Sequence, residues 1–133
     1  MQLPANTHVA LADGEKFLLM RNAGSAIEPR LELVTAPDLE LENQSAAIGH
    51  NDPKNDDYRG QLKLDHAAAV ADWLNRAVLQ HEIERLILIA GPDTLGEMRQ
   101  HYHKETKGIL VEEIAKQLTG LPAPEILKAI EAA

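Results

Sequence analysis

Leu86-Ile87-Leu88-Ile89-Ala90 constrains this chain more than any other stretch: five consecutive apolar residues between Arg85 and the break Gly91-Pro92. A short unbroken apolar run bounded by turn residues suits a strand buried on both faces. Such a strand needs cover above and below, and a helix signal follows at once. The run therefore predicts an α/β fold with Leu86–Ala90 as its central strand.

The flanking sequence supplies the cover. Ala67, Val70, Ala71, Leu74, Ala77 and Val78 recur at spacings of three and four, which predicts a helix over about Leu64–His81. Trp73 lies beside that face and reads as a partly buried packing residue. After the central strand, Thr94 and Glu97 stand at capping-box spacing, with Asp93 as the rival cap. Leu95, Met98 and Tyr102 give the next helix an apolar stripe, which Lys107-Gly108 breaks. In Ile109–Leu118 the residues Leu110, Val111, Ile114 and Leu118 fit helical spacing, yet the opening Ile109-Leu110-Val111 also permits a strand. A last helix follows Pro122 and Pro124, carrying Ile126, Leu127 and Ile130.

Before these elements, Asp13-Gly14 separates two apolar runs and predicts a hairpin, with strands near Thr7–Ala12 and Lys16–Arg21. Leu31-Glu32-Leu33-Val34 alternates as a half-exposed third strand, with Leu31 and Leu33 on one face. The three strands form an antiparallel meander. Residues 37–63 lack periodicity and read as a mobile acidic loop. Eight acidic residues fall between Glu28 and Asp57, against Arg30 and Lys54. The formal net charge of −8 disfavours a free-standing nucleic-acid binder, because phosphate contacts require a basic surface.

The 133 residues suit a single domain, 1–133. The absence of cysteine removes disulfides, thiolate metal sites and thiol nucleophiles, and fits a reducing compartment. No apolar run approaches the roughly 20 residues that span a bilayer, and residues 1–6 lack a signal-peptide pattern. The expectation is a soluble cytoplasmic protein with no membrane role.

Chemistry is sparse. No Gly-rich phosphate loop occurs. The turn Gly91, Asp93, Thr94 is the candidate anion or ligand turn, because open α/β sheets bind ligands where strands end and helices begin. Asp93 is negative and Pro92 lacks an N–H, and both work against an anion there. The six histidines do not show metal-ligand spacing and read as scattered surface residues; His101 and His103 are only two apart, and His50 sits in the acidic loop. Ser25 and Ser45 lack a nucleophile elbow. Neither catalytic residues nor a metal nor a cofactor is expected.

Three segments carry a resemblance. They are Ala12-Asp13-Gly14 with Lys16-Phe17-Leu18-Leu19, then Leu86–Pro92 running into Leu95-Gly96-Glu97-Met98-Arg99, then Glu113–Pro122 with Glu125-Ile126. Together they resemble the bacterial host attachment protein family, also described as bacterial relatives of the archaeal and eukaryotic peptide-chain release factors. Gln117 stands where the family's tail often has Asp. The resemblance implies the release-factor middle-domain fold: a ribonuclease-H-like mixed sheet in which the meander is followed by α-β-α-β-α. It makes Ile109–Lys116 a strand. It also directs attention to Arg59-Gly60-Gln61 in the loop before the long helix, where release factors carry Gly-Gly-Gln; one glycine is missing here.

Three functions compete on this basis. The first is a non-catalytic host-attachment-family protein acting as a binding domain for a protein partner. The second is a translation-associated protein with the ribosome as partner. The third, a nuclease on the same sheet, would use Asp13 and Asp93, and lacks a third carboxylate to complete a metal site. Neither the partner's identity nor the oligomeric state follows from the residues.

Overall fold

The computed structural model describes residues 1–39 and the backbone from residue 56 onward, with side chains from residue 61. Its described strands are β1 (His8–Ala12), β2 (Phe17–Asn22), β3 (Leu31–Thr35), β4 (Leu86–Ala90) and β5 (Leu110–Ile114). Its described helices are α1 (Asp56–Leu79), α2 (Pro92–Met98), α3 (Lys104–Ile109) and α4 (Ala123–Glu131). The strands form one open five-stranded sheet in the order β3-β2-β1-β4-β5. Neighbours β1 and β2, and β2 and β3, pair antiparallel; β4 pairs parallel with both β1 and β5.

The central strand is Leu86–Ala90, and all five residues are fully buried. The alternation of a strand explains the unbroken run. Leu86, Leu88 and Ala90 face α1, where Ala67, Val70, Ala71 and Leu74 complete one core. Ile87 and Ile89 face the opposite way, into a second core with Leu3, Val9, Leu11, Ile126 and Ile130. Trp73 packs at the margin of the first core, its ring edge-on to Phe17 at 5.1 Å between centroids.

The Asp13-Gly14 hairpin forms, but not through positive φ. Asp13 closes the turn itself: its Oδ1 accepts from the Glu15 N–H at 2.7 Å and the Lys16 N–H at 2.6 Å. Gly14 is small for a different reason. A Cβ there would lie 2.8 Å from Lys63 Cγ, because the lysine stem lies across it. The next connection is tied by Asn22, fully buried, whose side chain makes five hydrogen bonds to the backbone of residues 3, 4, 24, 25 and 30.

Several boundaries differ from the sequence reading. The long helix begins at Asp56, eight residues before Leu64, so residues 56–63 are helical rather than loop. The sequence there is polar and includes Gly60, and apolar periodicity does not register such turns. The rest of the proposed acidic loop, residues 40–55, lies outside the described residues. At the other end His81 takes φ 61°, and the Glu82 and His81 N–H groups donate to the Ala77 and Val78 carbonyls, a Schellman closure without glycine. In β3 only Leu31 is buried; Leu33 is 58% exposed although it shares that face. Edge position leaves it uncovered.

The segment after β4 also differs. Helix α2 starts at Pro92 with Gly91 as N-cap and no side-chain cap, so the Thr94–Glu97 capping box does not form. Proline presets φ at the first helical position and needs no partner for a missing N–H, which moves the start ahead of both Asp93 and Thr94. Glu97 instead pairs with His101 at 3.1 Å. Lys107-Gly108 does not break a helix but lies inside α3. The break comes earlier, for α2 ends at Met98, and Asn75 of α1 holds the connection to α3: its Nδ2 donates to His101 O at 2.8 Å, and its Oδ1 accepts from His103 N and Thr106 Oγ1. His103 then caps α3 by accepting the Glu105 N–H. Residues 110–114 are a strand parallel to β4, as the family resemblance implied. Pairing with β4 overrides a helical pattern that tertiary context was free to ignore.

Candidate functional site

Because β1 and β4 run parallel side by side, their carboxyl ends open at the same edge of the sheet. From there the chain turns toward β2 on one side and toward β5 on the other. A reversal of this kind is where open α/β sheets leave a crevice for ligands. A cavity of about 200 Å³ lies at this point. Asp13 and Gly14 line it after β1; Gly91, Pro92, Asp93 and Thr94 after β4; Gln117 after β5; and Lys63 and Leu64 from α1.

Asp13 is the structural corner of the cleft. Besides the two turn N–H groups on Oδ1, its Oδ2 accepts from the Thr119 hydroxyl at 2.6 Å. That bond ties the first hairpin to the segment before α4. Burial pushes the Asp13 carboxyl upward, but the bonds from Thr119, Glu15 and Lys16, with the nearby His66, outweigh it and hold the group below its ordinary value. The ionised form therefore stabilises the fold. That stabilisation is complete above the unfolded value of 3.8 and is lost as pH falls through the lower folded value. Thr119→Val is expected to cost about 1 kcal/mol at neutral pH. It should also shallow the fall in stability below about pH 4. Urea denaturation at stepped pH checks both; an unchanged acid limb would contradict the assignment.

The histidines divide differently from the expectation of scattered surface residues. His66 is buried at 6% exposure, its Nε2 3.2 Å from Lys16 O. His8 is partly buried, and burial with the neighbouring Arg21 lowers its pKa. His101 and His103 take the capping and pairing roles described above; His50 lies outside the described residues. Among the described residues no three His, Asp or Glu side chains gather as a metal-binding group.

Gly91, Asp93 and Thr94, the turn singled out in the sequence, all line the cleft. There Asp93 brings a carboxylate and Pro92 has no N–H to offer, while Lys63 brings an ammonium. Arg59-Gly60-Gln61 lies elsewhere in character: the tripeptide sits within the first turns of α1, not in a loop. Gln61 Nε2 donates to Asp65 Oδ1 at 2.9 Å, an i,i+4 bond on the helix surface. Lys63 and Gln117 escaped the sequence reading, for they stand 54 positions apart and no local motif joins them.

Fold and cleft define the class: an α/β protein with an open mixed sheet and a ligand-sized crevice at its switch point. Residues 6–130 match bacterial archaeo-eukaryotic release factor family 12, and the chain belongs to that family. No curated protein matches it. Among the described residues no helix is long and apolar enough to cross a membrane.

Proposed function

We propose that the chain is a non-catalytic binding domain that acts in translation, with the ribosome as its partner. The observation that carries this reading is the family match, which spans residues 6–130 and names release factors. The strand order β3-β2-β1-β4-β5, with three consecutive strands antiparallel and two more parallel to β1, supports reading the sheet as ribonuclease-H-like and the three strands as the meander of a release-factor middle domain. On this reading residues 1–133 act as one unit in the cytoplasm. Attachment to host cells, the first reading the resemblance suggested, draws nothing from the matched family's description, and translation takes precedence.

Peptide release is not the proposed activity. The release reaction of Gly-Gly-Gln factors depends on a loop, and Arg59-Gly60-Gln61 is helical. With a net charge of −8, the docking surface on the ribosome is protein rather than ribosomal RNA, since RNA would repel an acidic partner. Contacts of this kind weaken as salt shortens the Debye length. The protein should co-sediment with ribosomes at low salt and be released as ionic strength rises. Failure to co-sediment at low salt overturns the proposal.

A further inference from the structure

We propose that the cleft at the ends of β1 and β4 binds a small zwitterion, with the chemistry of a free α-amino acid. Opposite charges face this one space. Lys63 brings an ammonium and Asp93 a carboxylate, and among the described residues neither has an ion pair or hydrogen-bond partner. Asp13 is already engaged by three donors, which leaves Asp93 as the carboxylate available to a ligand.

Three other ligand classes fit worse. An anion would meet Asp93 and, at Pro92, a missing N–H donor. A simple cation would meet Lys63. A metal ion lacks a donor set, because no three suitable side chains gather among the described residues. A molecule carrying both charges satisfies both walls: its carboxylate toward Lys63, its ammonium toward Asp93. Thr94 and Gln117 add a hydroxyl and a carboxamide, while Leu64 and Pro92 supply apolar surface for a short side chain.

Size points the same way. The cavity measures about 200 Å³. Sites for drug-sized ligands run to about 300–1,000 Å³. The lysine stem lies against Gly14, where a Cβ would sit 2.8 Å from its Cγ, so the absence of a side chain at Gly14 lets Lys63 reach along this wall of the cleft. This site does not depend on the ribosome reading, and either can fail alone.

The test is calorimetric titration of the full chain with free L-amino acids at millimolar concentration. The hits are then compared with their decarboxylated amines and deaminated acids. An amino acid should bind, and each analogue with one charge removed should bind at least about tenfold more weakly. Lys63→Met and Asp93→Asn, both at exposed or partly exposed positions, should each weaken binding by about tenfold or more. Lys116→Met, outside the cleft lining, should leave it unchanged. The proposal is overturned if no amino acid binds, if the single-charge analogues bind as well, or if both cleft variants bind like the parent.

Discussion

Asn22→Ala is expected to lower the unfolding free energy by about 3–5 kcal/mol, a loss that is exceptional for a single polar side chain. The reason is the number of backbone groups that depend on one carboxamide. Its Nδ2 donates to the carbonyls of Leu3, Pro4 and Ser25, at 2.9, 3.3 and 3.2 Å. Its Oδ1 accepts from Gly24 N and Arg30 N, both at 2.9 Å. Each buried group left unmatched costs about 1–3 kcal/mol, and water entering the partly buried sites recovers some of that. Asn22→Asp should fare no better, since it keeps the acceptor but turns the second oxygen toward three carbonyls. Urea denaturation measures the loss. Hydrogen exchange locates it, with the Gly24 and Arg30 amides losing protection first. A loss under about 1 kcal/mol would show that the knot is dispensable.

Truncating the central strand should cost nearly as much, and the two faces should report differently. Leu88→Ala and Ile89→Ala each empty a fully buried site, for about 3–4 kcal/mol. Leu88 shares its core with α1 and with Trp73, the chain's single tryptophan; Ile89 lies in the opposite core with Ile126 and Ile130. Leu88→Ala should therefore shift the native tryptophan emission as the α1 side loosens. Ile89→Ala should lower stability while leaving that emission at its parent value. Equal fluorescence changes in both variants would mean that the sheet does not separate the two cores.

What the sequence made legible follows from the same geometry. Leu86–Ala90 could be read because burial on both faces removes every polar residue from the run. Strand β5 could not be read from its own pattern. As an edge strand it exposes Val111 and Glu112, and what remains apolar happens to fit a helix. The start of α1 was hidden because its first turns hold acidic residues and Gly60, which interrupt apolar periodicity without preventing a helix. At the cleft, Gly91, Asp93 and Thr94 were visible as a turn after a buried strand. Lys63 and Gln117 were not, because only the order of strands in the sheet brings them there. Thr94 was legible as a residue near a helix start but misread as its cap, since Pro92 begins the helix first.

The place of β4 in the sheet also sets a timetable for the growing chain. Strands β1, β2 and β3 are neighbours in sequence and can pair soon after they are made. The partner for the other edge of β1 is about 80 residues downstream, and at about 5–20 residues per second it arrives several seconds later. Through that interval a strand whose residues 9–12 are fully buried in the finished fold presents an unpaired edge to whatever else is nearby. The buried run at residues 86–90 is thus the piece whose arrival ends the nascent protein's exposure to misassociation.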